Sequence, residues 1–176
     1  METARLKIRK FLPHDGQDLF EYLSQAEVVK FEPYHVFTRE QAEQEAVSRS
    51  KNSDYWAVCL KDTGKVIGNI YLSQREFETW ELGYVFNLNY QKKGYATEAV
   101  IALLEDFFAN NRVRRIAAFC DPLNTASWKL LERLHMRREG HLVKNIWFFK
   151  DENGDPIWKD TFEYAILKEE WHGMKK

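Results

Sequence analysis

Long apolar runs are missing from this chain, as are paired cysteines, clustered histidines and any surplus of one charge sign. Without a membrane-length apolar segment, no membrane-spanning helix is predicted. Near the N-terminus Arg5, Lys7, Arg9 and Lys10 interrupt the apolar residues. No continuous core of a secretory signal is therefore expected, and a cytoplasmic location is. The two cysteines, Cys59 and Cys120, fall in apolar, strand-like runs and form no C-x-x-C motif. They read as buried thiols rather than as a disulfide or zinc framework. His14, His35, His135, His141 and His172 show no i, i+4 pairing, so no metal is expected. No G-x-x-x-x-G-K-[ST] string occurs, which excludes a P-loop nucleotidase as far as sequence can. With 26 Lys+Arg against 27 Asp+Glu, the net charge of -1 gives no broad attraction to nucleic acid or to an anionic membrane. Any anion site must be local.

What the chain does have is enough apolar surface for one domain spanning residues 1–176. Hydrophobic residues make up 44% and aromatics 15%, including six Trp, so folding needs no metal or disulfide. Leu6 to Phe11 reads as a strand, and Leu19, Phe20 and Leu23 as a short helix after the break at Pro13 to Asp15. Thr38, with Gln41 three residues later, predicts a capping box opening a polar helix to about Ser50. Tyr55–Leu60, Val66–Leu72 and Trp80–Phe86 form an antiparallel meander. Ala96, Ala99, Val100, Leu103, Leu104, Phe107 and Phe108 recur at helical spacing, and the helix fades at Asn110-Asn111. Arg115–Cys120 then completes a strand–helix–strand crossover, whose two strands should lie parallel and adjacent. Trp128, Leu131 and Leu134 mark a second short helix, and Leu142–Phe149 pairs with Asp160–Leu167 as a terminal hairpin.

The junction Gln91-Lys92-Lys93-Gly94-Tyr95-Ala96-Thr97-Glu98-Ala99 is the strongest functional clue. A helix start presents N–H groups without intrahelical partners and the positive end of the peptide dipoles, both of which suit an anion. Gly94 allows the backbone to turn and a ligand to approach, and Lys92 and Lys93 add charge. An ordinary strand-to-helix turn bearing two solvated lysines gives the same pattern, and one glycine is a weak signal against it.

Glu81-Leu82-Gly83-Tyr84-Val85-Phe86 followed by Gln91-x-x-Gly94-x-Ala96 is similar to the cofactor motif of the GNAT superfamily of acetyl-CoA-dependent N-acetyltransferases, in the variant that ends in Ala. Asn124-Thr125-Ala126-Ser127 resembles the N-x-x-S element of the Rim-type branch, which contains the ribosomal-protein N-terminal acetyltransferases; Trp158 to Lys168 resembles the close of that branch. The resemblance implies an α+β fold: a mixed, mostly antiparallel sheet of about seven strands flanked by about four helices, with a splay between two central parallel strands. His135-Met136 stands where relatives usually have Gly-Phe, which puts a side chain at a helix end that often needs a left-handed residue.

The same resemblance implies acetyl-CoA as cosubstrate, with no metal. The amides from Lys92 through Lys93, Gly94, Tyr95, Ala96 and Thr97 would cradle its pyrophosphate, in the loop opened by Gln91. Backbone groups of Val85 and Phe86 would hold the pantetheine arm, and an N–H there can act as an oxyanion donor. Asn124 suits the pantetheine amide and suits a helix cap equally well. An alkyl ammonium must lose a proton before it attacks, and Glu81 is the first choice of base, with Glu76 and Glu78 placed to attract a cation. Ser127 can protonate the departing thiolate or simply satisfy a local backbone group. Tyr84 points away from Val85 in a regular strand and reads as core. The partner is then an amine, either a protein N-terminus or a small molecule, met by a monomer or homodimer. A non-catalytic acyl-CoA-binding module of the same fold is the alternative.

Overall fold

The computed structural model of the chain describes residues 1–110 and 113–173. Its strands are β1 (Leu6–Lys10), β2 (Tyr55–Leu60), β3 (Val66–Gln74), β4 (Thr79–Phe86), β5 (Arg115–Cys120), β6 (Arg137–Lys150) and β7 (Pro156–Leu167). They form one sheet in the order β1-β2-β3-β4-β5-β7-β6. All neighbouring pairs are antiparallel except β4 and β5, the pair joined by the helical crossover. Mixed topology, parallel central pair and terminal hairpin are as the sequence predicts. The hairpin strands run longer than the apolar pattern suggested, because their solvated ends alternate too weakly to be read.

Helices α1 (Gly16–Leu23), α2 (Ala26–Val29), α3 (Arg39–Ser50), α4 (Tyr95–Asn110), α5 (Thr125–Arg133) and α6 (Lys168–Gly173) complete the described residues. That is six against about four expected; the extra two are α2 and α6, too short to establish a 3.6-residue period. Of the predicted fade at Asn110-Asn111, α4 does run to Asn110, and Asn111 lies outside the described residues. The capping box is present: Gln41 N donates to Thr38 Oγ1 over 3.2 Å and Thr38 N to Gln41 Oε1 over 2.8 Å.

Strand alternation divides the core in two. Leu82 and Phe86 of β4 join Ile70, Leu72 and Ile116 under α4 on one face. Val85 joins Phe11, Leu19, Ala42 and Ala46 on the face covered by α1 and α3. On that second face Asn69 is 3% exposed and Arg49 2%. Asn69 Oδ1 accepts from Tyr22 Oη at 2.9 Å and Arg49 Nη1 at 3.0 Å, while Arg49 Nε donates to Glu45 at 2.7 Å. The buried charge is thus paired and hydrogen-bonded, as burial requires.

His135 adopts φ 58 after α5, the left-handed conformation that the usual glycine would supply. Met136 N donates to Leu131 O at 3.1 Å and His135 N to Glu132 O at 2.9 Å, which closes the helix in a Schellman arrangement. The turn survives without glycine because Met136 is buried behind it, offsetting the strain at Cβ. His135→Gly is therefore expected to stabilise the protein by about 1 kcal/mol, raising Tm by roughly 2–4 °C in thermal denaturation. An unchanged or lowered Tm would show that the imidazole makes a compensating contact.

Candidate functional site

Parallel pairing of β4 with β5 covers Thr79↔Arg115 to Leu82↔Ala118 and goes no further. Beyond it β4 remains paired with β3 as far as Gly68↔Phe86, and β5 with β7 as far as Cys120↔Phe162. The two central strands therefore part after Leu82 and Ala118. From Gly83 to Phe86 only one edge of β4 meets a strand, so alternate backbone groups on the other edge face a gap. Val85 and Phe86 stand at this opening, on the strand that the sequence indicates.

The geometry of β4 there is tightly set. A Cβ on Gly68 would lie 2.5 Å from Phe86 Cδ1 and 2.7 Å from the Val85 carbonyl oxygen, so only glycine lets β3 approach. Gln91 Nε2 donates to Phe86 O at 3.0 Å, which ties the basic loop to the end of the strand. Lys92 and Gly94 take left-handed φ values of 59 and 81, and α4 starts at Tyr95. The first-turn amides of Tyr95, Ala96 and Thr97 thus point out of the helix start into an exposed loop. Lys93 folds back, its Nζ donating to Asn89 O at 2.9 Å, so it is less available to an anion than its charge suggests.

Arg5 is a loop residue in function that sequence reading missed. From the far end of the chain it donates to Lys93 O at 2.9 Å and to Glu98 Oε2 at 2.7 Å, and its guanidinium stands 4.4 Å from the Tyr95 ring centre. Thr3 and the Arg5 amide bind the same carboxylate, holding Glu98 below the usual carboxylate range against the burial that opposes it. No local signal marks this, since the partners are 93 residues apart.

The catalytic candidates lie on opposite faces of the sheet. Glu81, with Gly83 and Val85, is on the face of α1 and α3 and opens into a cleft of about 440 Å³ lined by Arg75, Thr79, Arg115, Ala117 and Phe119. Its Oε2 accepts from Arg75 Nε at 2.9 Å. Phe77 stands 81% exposed at the rim of this cleft, on a turn where Phe77 and Glu78 both have positive φ. Arg114 N donates to Glu78 O at 3.0 Å and fixes the turn. Glu76 also lines the cleft, whereas Glu78 serves the turn through its carbonyl.

On the α4 face, Asn124 caps α5, its Oδ1 accepting from Ser127 N at 3.2 Å. Ser127 Oγ is 3.1 Å from Tyr84 Oη, and Tyr84 Oη donates to Ser127 O at 3.0 Å. Tyr84 does point away from Val85, but it is more than core: its hydroxyl spans the gap between β4 and α5. Cys120 lies near Ser127, and burial pushes its thiol up to about 11, which suits a resting thiol and not a nucleophile.

An aromatic and acidic wall flanks the Glu81 side. Tyr71 pairs with Gly83, and its ring lies tilted at 5.1 Å from that of Tyr55, over which Arg49 lies at 4.7 Å. Burial pushes the Glu32 carboxyl up to about 7, with Tyr34 and Arg49 acting against the shift. The terminal hairpin reaches this segment, His35 stacking on Phe149 at 4.2 Å and Lys159 lying 5.8 Å from the Phe31 ring. The Phe31–Phe37 stretch and the hairpin thus meet.

The site fits acetyl-CoA by its form: an open strand edge for an extended arm and a glycine-turned helix start for a diphosphate. Among the described residues no group of three or more His, Cys, Asp or Glu is placed to hold a metal, and no helix is long and apolar enough to cross a membrane.

Comparison with known proteins bears on this geometry directly. The Acetyltransferase (GNAT) domain family matches residues 5–137. The chain is 42% identical over 173 residues to the uncharacterized N-acetyltransferase YnaD of Bacillus subtilis (strain 168), covering 97% of this chain and 98% of the relative. A GNAT-family acetyltransferase structure from Bacillus anthracis superposes with TM-score 0.87 at 37% identity, covering 97% of this chain and 99% of that one. A spermidine N-acetyltransferase from Vibrio cholerae, in complex with CoA and spermine, shares the fold at TM-score 0.78 and 16% identity over 97% of this chain and 99% of that one.

Glu32 generates a prediction about stability. Its carboxyl is raised in the folded state from 4.5 to about 7. Between those pH values the unfolded chain ionises and the folded one does not, so stability falls as pH rises from about 4.5 through about 7. Urea denaturation at intervals across that window should show the fall, and Glu32→Gln should flatten it. An equally steep profile in the variant would refute the assignment to Glu32.

Proposed function

The chain belongs to the GNAT acetyltransferase family and is an N-acetyltransferase, and from that premise we propose that acetyl transfer to a primary amine takes place across the β4–β5 gap. The observation that carries this reading is the parting of the strands after Leu82↔Ala118, with a carboxylate on one face and a hydroxyl on the other. Bound acetyl-CoA supplies the acetyl group as a thioester, whose C–S bond breaks as the amine nitrogen bonds to the carbonyl carbon. The backbone from Lys92 to Thr97 holds the pyrophosphate, Val85 and Phe86 hold the pantetheine, and Asn124 adds its amide donor while its oxygen keeps the helix cap.

Glu81 accepts the ammonium proton on the cleft side, where Arg75 holds the carboxylate in place. Ser127 keeps a proton at Oγ for the sulfur on the other side. The two groups thus reach the gap from opposite faces of the sheet, one beside the amine and the other beside the sulfur. The amine arrives through the cleft of Phe77 and Phe119. It is either a protein N-terminus, as the Rim-like Asn124-to-Ser127 element suggests, or a small-molecule amine. The two buried free cysteines suit a reducing, cytoplasmic setting, with the protein a monomer or homodimer.

Glu81→Gln tests this assignment. With acetyl-CoA and a panel of primary amines, thiol release near neutral pH should fall by about 10²-fold or more. The deficit should shrink as pH approaches the amine pKa of ~10, where the acceptor is already neutral. A rate–pH profile identical to that of the parent protein removes Glu81 as base. Acetyl-CoA binding without amine-dependent thiol release from the unaltered protein would remove the whole reading.

A further inference from the structure

Tyr84 lies on β4 two residues past Leu82, on the first stretch that β5 does not pair. Its hydroxyl makes two contacts with one residue of α5, at 3.0 Å to Ser127 O and 3.1 Å to Ser127 Oγ. The phenol has one proton, and a carbonyl oxygen can only accept. The phenol proton therefore lies between the two Ser127 oxygens in a three-centre hydrogen bond, accepted by the carbonyl and by Oγ, which leaves the serine's own proton to point away from Tyr84 into the gap. The Ser127 amide is fixed separately by Asn124.

We infer that Tyr84 is a positioning residue, which fixes the Ser127 carbonyl and holds its hydroxyl proton in the gap so that it is ready for the sulfur of CoA. A serine at a helix start is otherwise a free rotor that can turn to a local backbone oxygen. Burial keeps the phenol protonated, so Tyr84 remains a donor to the carbonyl throughout. The thiol of Cys120, pushed up to about 11 by burial, stays protonated and does not compete as a base for the same proton. Tyr84 thus acts through Ser127 and need not touch the substrate. The inference rests on the role proposed for Ser127, and the test separates the two.

CoA itself, with its free thiol, is the probe. The ionisation of the bound thiol is followed by thiolate ultraviolet absorbance, as the difference between protein with and without CoA. A hydroxyl donated to sulfur favours the thiolate, so in the unaltered protein the bound thiol should titrate below the usual ~8.5. Ser127→Ala should raise that value by about one pH unit, a tenfold change in acidity. Tyr84→Phe, which keeps the ring, should raise it by a similar amount, and the double variant no further. CoA affinity measured below the titration range should stay within about threefold, the difference expected when no phosphate or pantetheine contact is lost.

If Ser127→Ala raises the thiol value and Tyr84→Phe does not, the positioning role is overturned while the acid role stands. If Ser127→Ala has no effect, the acid role fails, and the inference with it. A Tyr84→Phe protein that loses CoA affinity with no change in thiol acidity shows a structural strut only. Should Tyr84→Phe fold poorly, Ser127→Thr reads the same contact, because its added methyl restricts the rotamer facing Tyr84; thiol acidity equal to the parent's then overturns the inference.

Discussion

Backbone hydrogen bonding in the middle of the sheet is the constraint on which the rest of this molecule depends. A central strand normally meets partners on both edges, and a buried amide or carbonyl without one is destabilising by an amount comparable to a lost hydrogen bond. β4 is central, yet beyond Leu82 one edge has no neighbouring strand. β5 stays paired with β7 along its whole length, so its course is set without β4. An extended ligand bearing amides can then complete the ladder of β4, which turns a defect of the sheet into a site. Under the proposed function, binding of the pantetheine arm and completion of the sheet would be the same physical event.

Much of the surrounding structure keeps that gap open without letting the strands drift. On the β3 side Gly68 brings the strand close enough for Phe86 to lie over it. At the far end Gln91 ties Phe86 to the loop, and Arg5 and Glu98 tie the loop to β1. Across the gap itself the direct link is a side chain, the Tyr84 hydroxyl on Ser127. Over these few residues the ladder between strands gives way to a side-chain link from β4 to α5, which leaves room where a ladder would not. The partly exposed Arg5–Glu98 ion pair would count for little alone. Its value is geometric, since the carboxylate also accepts from Thr3 and from the Arg5 amide.

Sequence reading went as far as local and periodic signals reach. The meander, the crossover helix and the parallel pair follow from alternation, helical spacing and chain connectivity, and the loop at Gln91 follows from the chemistry of helix starts. Resemblance to known acetyltransferases supplied the splay and the positions of Glu81 and Ser127. What stayed hidden depends on contacts between distant residues. Arg5 looked like one of several N-terminal cations. Tyr84, read from its alternation as core, has a ring that fits that reading and a hydroxyl that does not. Pattern assigns a residue to a face but does not say where the last atom of a long side chain ends. His135 shows the converse: the missing glycine suggested a disturbed turn, yet burial of Met136 holds the left-handed conformation.

The near-neutral charge of the chain has a local counterpart at the cleft. An enzyme that met its amine through long-range attraction would need an acidic surface field around the cleft. Here Glu81 is matched by Arg75, and Arg115 is matched by Glu139 and Glu163. What the cleft exposes instead is aromatic: Phe77 at 81% and Phe119 at 45%. Phe77 is held outward by a turn whose two left-handed residues are strained, a conformation that persists only where neighbouring structure enforces it. Two carboxylates line this cleft, Glu81 paired with Arg75 and Glu76 beside it, so its charge is local and stands next to an aromatic surface. If Glu81 is the base, as proposed, an amine carrying an apolar group would meet the rings and the carboxylate together, and contact with the rings would help to hold its nitrogen at the gap where the strands part.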